Sequence, residues 1–121
     1  MQNFKKLNAW AKAHLLTLLV YEVTKSFPKE ELYGITSQLR RACSSIPTNI
    51  AEGCGRKSRI ELSRFLQISL GSASEFEYLI LLSRDLHYLA PNTYVNLQEK
   101  ISEIKKMLSA FISTLKHITD Y

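Results

Sequence analysis

Toward the C-terminal end of the chain, Tyr94, Leu97, Ile101, Ile104, Leu108, Phe111, Leu115 and Ile118 recur at alternating steps of three and four residues. An unbroken repeat of this kind keeps apolar side chains on one stripe of a helix and packs them as knobs into holes. It predicts a helix with Asn92 as its N-cap and with Lys100, Glu103, Lys105, Lys106 and Lys116 off the stripe. Pro91 is expected to stop whatever precedes it.

Three further segments carry helical periodicity. The first runs from Leu7 to Ser26 with two apolar stripes, Leu7, Trp10, Ala11, His14, Leu18 and Tyr21 on one and Ala9, Ala13, Leu16, Val20, Val23 and Phe27 on the other. Leu15 and Leu19 join them, so the apolar arc is wider than one core-facing stripe requires. Phe27-Pro28 ends the segment, because the residue before proline is pushed out of helical geometry.

A second segment spans about Gly34 to Cys54, where Ile35, Leu39, Ala42, Cys43, Ile46 and Ile50 keep their spacing straight through Pro47. That register favours one kinked helix over two separate ones, with Ser44, Ser45 and Asn49 available for carbonyls that the proline strands. Gly53 and Gly55 are expected to stop it. A third helix starts after Ser58, its N-cap, with Glu61 as the reciprocal partner of a capping box, and runs to about Leu89. Leu62, Phe65, Leu66, Ser69, Ala73, Phe76, Leu79, Ile80 and Leu86 form its main face, and Ser69, Gly71, Ser72 and Ala73 are small enough to let another backbone approach.

Four long helices with short connections predict an all-α, antiparallel up-down-up-down four-helix bundle occupying residues 1–121 as a single domain. The apolar surplus on the first and third helices exceeds what such a core hides, which predicts a homo-oligomer. Composition agrees with a globular chain: 45% hydrophobic and 22% charged residues, with only 4 Gly and 3 Pro, disfavour disorder and turn-rich all-β folds. No apolar run approaches the ~20 residues needed to span a membrane, and the polar start shows no signal-peptide pattern. Cys43 and Cys54, if on one helix, stand ~16 Å apart along its axis, too far for a disulfide. Free, structural thiols are the expectation, and with them a reducing cytoplasm.

Several strings resemble a known family. They are Phe4-x-x-Leu7 with Trp10, Phe27-Pro28 with Glu31 and Tyr33-Gly34, Gln38-Leu39-Arg40-Arg41-Ala42, Ser45-Ile46-Pro47-Thr48-Asn49-Ile50-Ala51-Glu52-Gly53, and Gly71-Ser72-x-x-Glu75. Together they look like the four-helix-bundle proteins first met as reading frames inside intervening sequences of 23S ribosomal RNA genes. The resemblance covers nearly the whole chain. It implies a bundle that assembles into a ring-like pentamer, with no established enzymatic activity and no cofactor. A related branch, the accessory proteins of diversity-generating retroelements, forms a basic pentameric barrel that engages nucleic acid and a reverse transcriptase. RNA binding therefore enters by analogy.

Charge sharpens that expectation. The chain carries 16 basic and 11 acidic residues, +5 in all, and five copies would sum to about +25, enough to attract a polyanion. Arg56, Lys57, Arg59 and Arg64 cluster at the turn between the second and third helices, and Arg40 and Arg41 add charge along the second. These six form the candidate nucleic-acid surface, through phosphate contact with little base specificity. The alternative is a solvated bundle end whose arginines pair with Glu52, Glu61 or neighbouring subunits, in a pure protein–protein scaffold.

Asn49, Glu52, Ser72 and Glu75 read as polar groups near packed interfaces, where hydrogen bonds would fix helix register; Arg56 stands four residues from Glu52. A carboxylate pair without a cleft offers no acid–base chemistry. Glu-x-x-His, Gly-x-Ser-x-Gly, Gly-x-Gly-x-x-Gly and Walker strings are missing, and His14, His87 and His117 fall on three segments. The reading is therefore non-enzymatic, with neither metal nor cofactor. Trp10, with Tyr21 and Phe27, is expected in the core or at a subunit contact rather than as a base-stacking platform.

Overall fold

Four helices account for most of residues 3–118, the part that the computed structural model describes: α1 (Asn8–Val23), α2 (Ile35–Cys54), α3 (Arg59–Asp85) and α4 (Pro91–Ile118). The side chains of His117 and Ile118 fall outside the described residues, so the last step of the C-terminal stripe does too. Among the described residues there is no strand. Each helix packs on its neighbours in sequence, and α4 returns against α1, leaving α1 and α3 on one diagonal and α2 and α4 on the other.

The stripes find their core. Leu97, Ile101, Ile104, Leu108 and Leu115 of α4 are buried, while Phe111 turns half out and Ile112 takes the inner place. A straight helix drifts ~20° per heptad against a 3.5-residue repeat, which explains the exchange. Of the two stripes on α1, Ala9, Ala13, Leu16 and Val20 go inward; Leu18 and Tyr21 of the other remain exposed.

Pro47 lies inside α2, which continues unbroken past it. The carbonyl of Cys43, which would receive a bond from a residue at position 47 with an N–H, is approached from α1 instead. Thr17 Oγ1 donates to Ala13 O at 2.8 Å and stands 3.5 Å from Cys43 O. Of the expected trio, Asn49 Nδ2 donates to Ser45 O at 2.8 Å and Ser44 Oγ to Arg41 O at 3.3 Å.

On its other side α2 presses closely on α3. Ser69 Oγ donates to Ile46 O at 2.8 Å in the buried core, and the hydroxyls of Ser45 and Ser72 share a hydrogen bond of 2.8 Å. A Cβ on Gly53 would come within 2.9 Å of Phe65 Cβ. Gly53 is therefore a close-approach residue within the helix rather than its stop; Gly55 alone caps α2, its N–H donating to Ala51 O and Glu52 O. Gly71 corrects the sequence reading in the opposite sense, since a Cβ there would meet nothing within 4 Å. The backbone approach is made by Ser69, Ser72 and Ala73.

The helix ends are set by local chemistry. Ser58 Oγ accepts the Glu61 N–H at 3.1 Å, but the Glu61 carboxylate turns toward Arg56 instead of closing the capping box. α3 stops at Asp85, four residues before the expected Leu89, because His87 adopts a left-handed conformation at φ 64°. The Tyr88 N–H then reaches Ser83 O and the His87 N–H reaches Arg84 O, both at 2.9 Å, a Schellman closure with histidine in glycine's usual place. Leu86, expected on the core face, is left exposed past that end. Pro91 opens α4 rather than closing α3, and Asn92 lies inside the helix; the Tyr94 N–H bonds Ala90 O at 3.0 Å. Proline suits a first helical position, where its missing donor would have no partner anyway.

Two polar clamps escaped sequence reasoning. Glu77 of α3 accepts from Lys105 Nζ at 2.8 Å and Gln98 Nε2 at 2.7 Å, both on α4. At one end of the bundle, Tyr88 donates its hydroxyl to Glu31 Oε2 at 2.9 Å while its ring packs on Phe27.

Replacing Gly53 with Ala is expected to lower stability by about 1 kcal/mol in denaturant melts, because overpacking of 1–3 kcal/mol outweighs ~1 kcal/mol of helix propensity. The Lys105 and Gln98 hydrogen bonds hold the Glu77 carboxyl below its ordinary value of 4.5. A lowered folded-state value stabilises above the ordinary one and is lost as pH falls through the folded one. Glu77→Gln should therefore be less stable than wild type above pH 4.5, by under about 1 kcal/mol, with the gap closing as acid is added.

Candidate nucleic-acid interface

Gly55, Arg56, Lys57 and Ser58 make the turn between α2 and α3, so α2's last turn and α3's first two present their side chains around it. Arg56 folds back over this turn. Its Nη2 lies 3.1 Å from Glu52 Oε2, its Nε 4.0 Å from Glu61 Oε1, and its guanidinium 4.8 Å from the Phe65 ring centroid. The Glu52–Arg56 pair is the one that i,i+4 spacing predicts. Two carboxylates and a ring thus occupy the cation nearest the turn's centre.

Lys57 and Arg59 are exposed and have no ionic partner among the described residues. Arg59 and Arg64 line a shallow cleft of about 300 Å³ between α3 and α4, together with Ile60, Ser63, Gln67, Leu115 and Lys116. Arg64 also lies 6.0 Å over the Phe65 ring. Ser63 and Gln67 belong to this surface and were missed. Their signal is in the chain, since they follow Arg59 at steps of four and so share its helix face. Lys116 comes from α4, and only the tertiary packing brings it there.

Arg40 and Arg41 do not join the cluster. Fifteen residues separate Arg41 from Arg56, about 22 Å along a helix. Arg40 instead ties α2 to the end of α1, its Nε donating to Thr24 Oγ1 at 2.9 Å and its Nη2 to Tyr21 O at 3.4 Å, with the guanidinium 4.8 Å over the Tyr21 ring. Arg41 is exposed on its own.

The polar residues divide as well. Asn49 Nδ2 donates to Ser45 Oγ at 2.9 Å, and Ser45 in turn bonds Ser72, so these two do fix register between α2 and α3. Glu75 was expected at the same interface but is exposed, and its side chain makes no hydrogen bond or ion pair among the described residues. The helical period places it 40° from Gly71 on the outward side of α3, whereas Ser72 turns inward.

A groove of about 760 Å³ runs between α1 and α2 and is lined by Trp10, His14, Thr17, Pro47, Thr48 and Glu52 among others. Trp10 is half-buried, stacked on His14 at 5.0 Å with planes 7° apart, and met edge-on by Phe4. Among the described residues no three His, Cys, Asp or Glu side chains converge as a metal site would require. Cys43 and Cys54 are free and buried; burial pushes the Cys43 thiol up to about 12 and raises that of Cys54. Both are poor nucleophiles in that state. No helix among the described residues is long and apolar enough to cross a membrane.

Ile46 and Ile50 fill the core, Gly53 admits α3, Ser45 and Asn49 bond toward Ser72, and Pro47, Thr48 and Glu52 line the groove beside α1. The family model for 23S rRNA-intervening sequence proteins matches residues 5–110. The chain belongs to that family. A crystal structure from Bacteroides thetaiotaomicron, a protein with unknown function from the S23 ribosomal protein family, is similar at 25% identity with a TM-score of 0.81. That likeness covers 87% of this chain and 95% of the other. No curated protein matches the chain.

Arg40 and Arg41 offer a direct comparison of the two kinds of cation in this family member. Arg40→Ala should lower stability by about 1 kcal/mol through lost charged hydrogen bonds, and Arg41→Ala should stay within about 0.5 kcal/mol of wild type in urea titrations.

Proposed function

We propose that this protein is a non-enzymatic, cytoplasmic homo-oligomer that binds RNA or another nucleic acid along its backbone through Lys57 and Arg59, with Arg64 and Arg41 as outlying contacts. The observation that carries this reading is the pair of exposed cations at the α2–α3 turn that no carboxylate among the described residues neutralises, beside a cleft lined by further polar side chains. Contacts of this kind recognise phosphate and sugar rather than base edges. Arg56, already engaged by Glu52 and Glu61, contributes less.

The architecture that goes with it is an antiparallel up-down-up-down bundle, bent at Pro47, in a ring-like assembly. Support for the antiparallel order comes from the α2–α3 contacts: Ser45 pairs with Ser72, Ile46 with Ser69 and Gly53 with Phe65, rising along one helix while falling along the other. Support for assembly comes from the surface. The accessible area is 7311 Å², against roughly 6,700 Å² for a monomer of this mass. Leu15, Leu18, Ile60, Ile68 and Tyr78 contribute to it. The same apolar surface favours the second reading, a protein–protein scaffold whose charge is incidental. Free buried thiols suit a reducing compartment.

The two readings separate on salt. For single-stranded RNA, log affinity against log salt should flatten by about 0.7 for each phosphate contact removed by Lys57→Ala or Arg59→Ala. Arg56→Ala should change the slope less. An absence of measurable RNA binding by wild type at ~50 mM salt would overturn the nucleic-acid reading in favour of the scaffold.

A further inference from the structure

The groove between α1 and α2 runs toward the basic turn. Trp10 and His14 line it from α1, Thr48 and Glu52 from α2, and Arg56, the chain neighbour of Lys57, stands at its end. At about 760 Å³ it falls within the range of roughly 300–1,000 Å³ that small ligands occupy, room enough for a nucleoside.

The aromatic side of this groove has a face to spare. Trp10 is half-buried and lies against His14 with planes 7° apart, so the stack reaches solvent through the exposed imidazole. Trp10 takes one face of that imidazole; the other meets no ring among the described residues. Two acceptors stand nearby. Thr48 is exposed, and its hydroxyl has no partner among the described residues. Glu52 gives Oε2 to Arg56 at 3.1 Å, while its Oε1 accepts no hydrogen bond among the described residues.

Resting on the nucleic-acid reading above, we infer that the groove takes one unpaired base of a single-stranded nucleic acid, stacked on the free face of His14, while the strand's phosphates continue over Lys57 and Arg59. A flat ring beside a cationic track holds single strands because every base has a π-face. A duplex keeps its bases inside, so the groove selects unpaired strands. Glu52 sorts the bases. Its free oxygen accepts from the exocyclic amines of adenine, cytosine or guanine. Uracil instead presents its one N–H between two carbonyls, which a carboxylate repels. The occupant is nucleic acid rather than peptide because the groove leads to cations that no carboxylate among the described residues neutralises.

The chain has a single tryptophan, so its fluorescence reports on this groove directly. Titration with a riboadenylate hexamer should quench Trp10 by about half, and an abasic hexamer should bind about tenfold more weakly without quenching. His14→Ala should weaken adenylate binding about fivefold and leave the abasic strand unchanged, and His14→Phe, which keeps a flat ring, should restore it. A cytidylate hexamer should bind about threefold more tightly than uridylate, and Glu52→Gln should remove the difference. Equal affinity for adenylate and abasic strands, or equal quenching by them, overturns the groove assignment and leaves the phosphate reading standing. No binding of any strand at ~50 mM salt overturns both. Undiminished adenylate binding by His14→Ala, or no recovery in His14→Phe, overturns stacking on His14. Equal binding of cytidylate and uridylate by wild type overturns the role of Glu52.

Discussion

The close seam between α2 and α3 is the constraint on which the remaining geometry depends. Small side chains at Ser45, Gly53, Ser69, Ser72 and Ala73 let the two backbones approach, and hydroxyls then bond across the gap, Ser69 to the Ile46 carbonyl and Ser45 to Ser72. A buried hydroxyl without a partner would be costly, so the same residues that permit the approach also specify its register. With that seam in place, α1 covers one flank of α2 and α4 covers one flank of α3, and the outer faces of α1 and α3 are left at opposite corners.

Proline in the middle of α2 fits the same logic. It removes one backbone donor from a helix served on both sides, by Thr17 from α1 and by Ser69 from α3. The apolar register continues across it because Ile46 and Ile50 are both needed in the core. The cost of the missing bond is met by neighbours rather than by the helix itself.

Charge on this molecule falls into two kinds. Arg40 and Arg56 work as internal ties, their guanidiniums lying over aromatic rings while their nitrogens reach hydroxyl, carbonyl or carboxylate oxygens. Lys57 and Arg59 are exposed, with no ionic partner among the described residues. Net charge counts both kinds alike; exposure and pairing distinguish them, which is why six candidate cations reduce to so few at the surface.

Sequence alone determined the number of helices, most of their inner faces, the Ser58 cap, the continuity of α2 through Pro47 and the family, because these follow from periodicity, capping chemistry and contiguous strings. It also placed Glu52 against Arg56, a contact within one helix. Tertiary structure decided whatever depends on which side of a helix meets another helix. That covers which α1 stripe is core, that Gly53 rather than Gly71 marks the close approach, that Glu75 faces outward, and that Arg40 is tied to α1. It also covers the Glu77, Gln98 and Lys105 clamp and the Lys116 edge of the basic cleft. A helix carries its own period in its residues, but the azimuth at which two helices touch is a property of the pair.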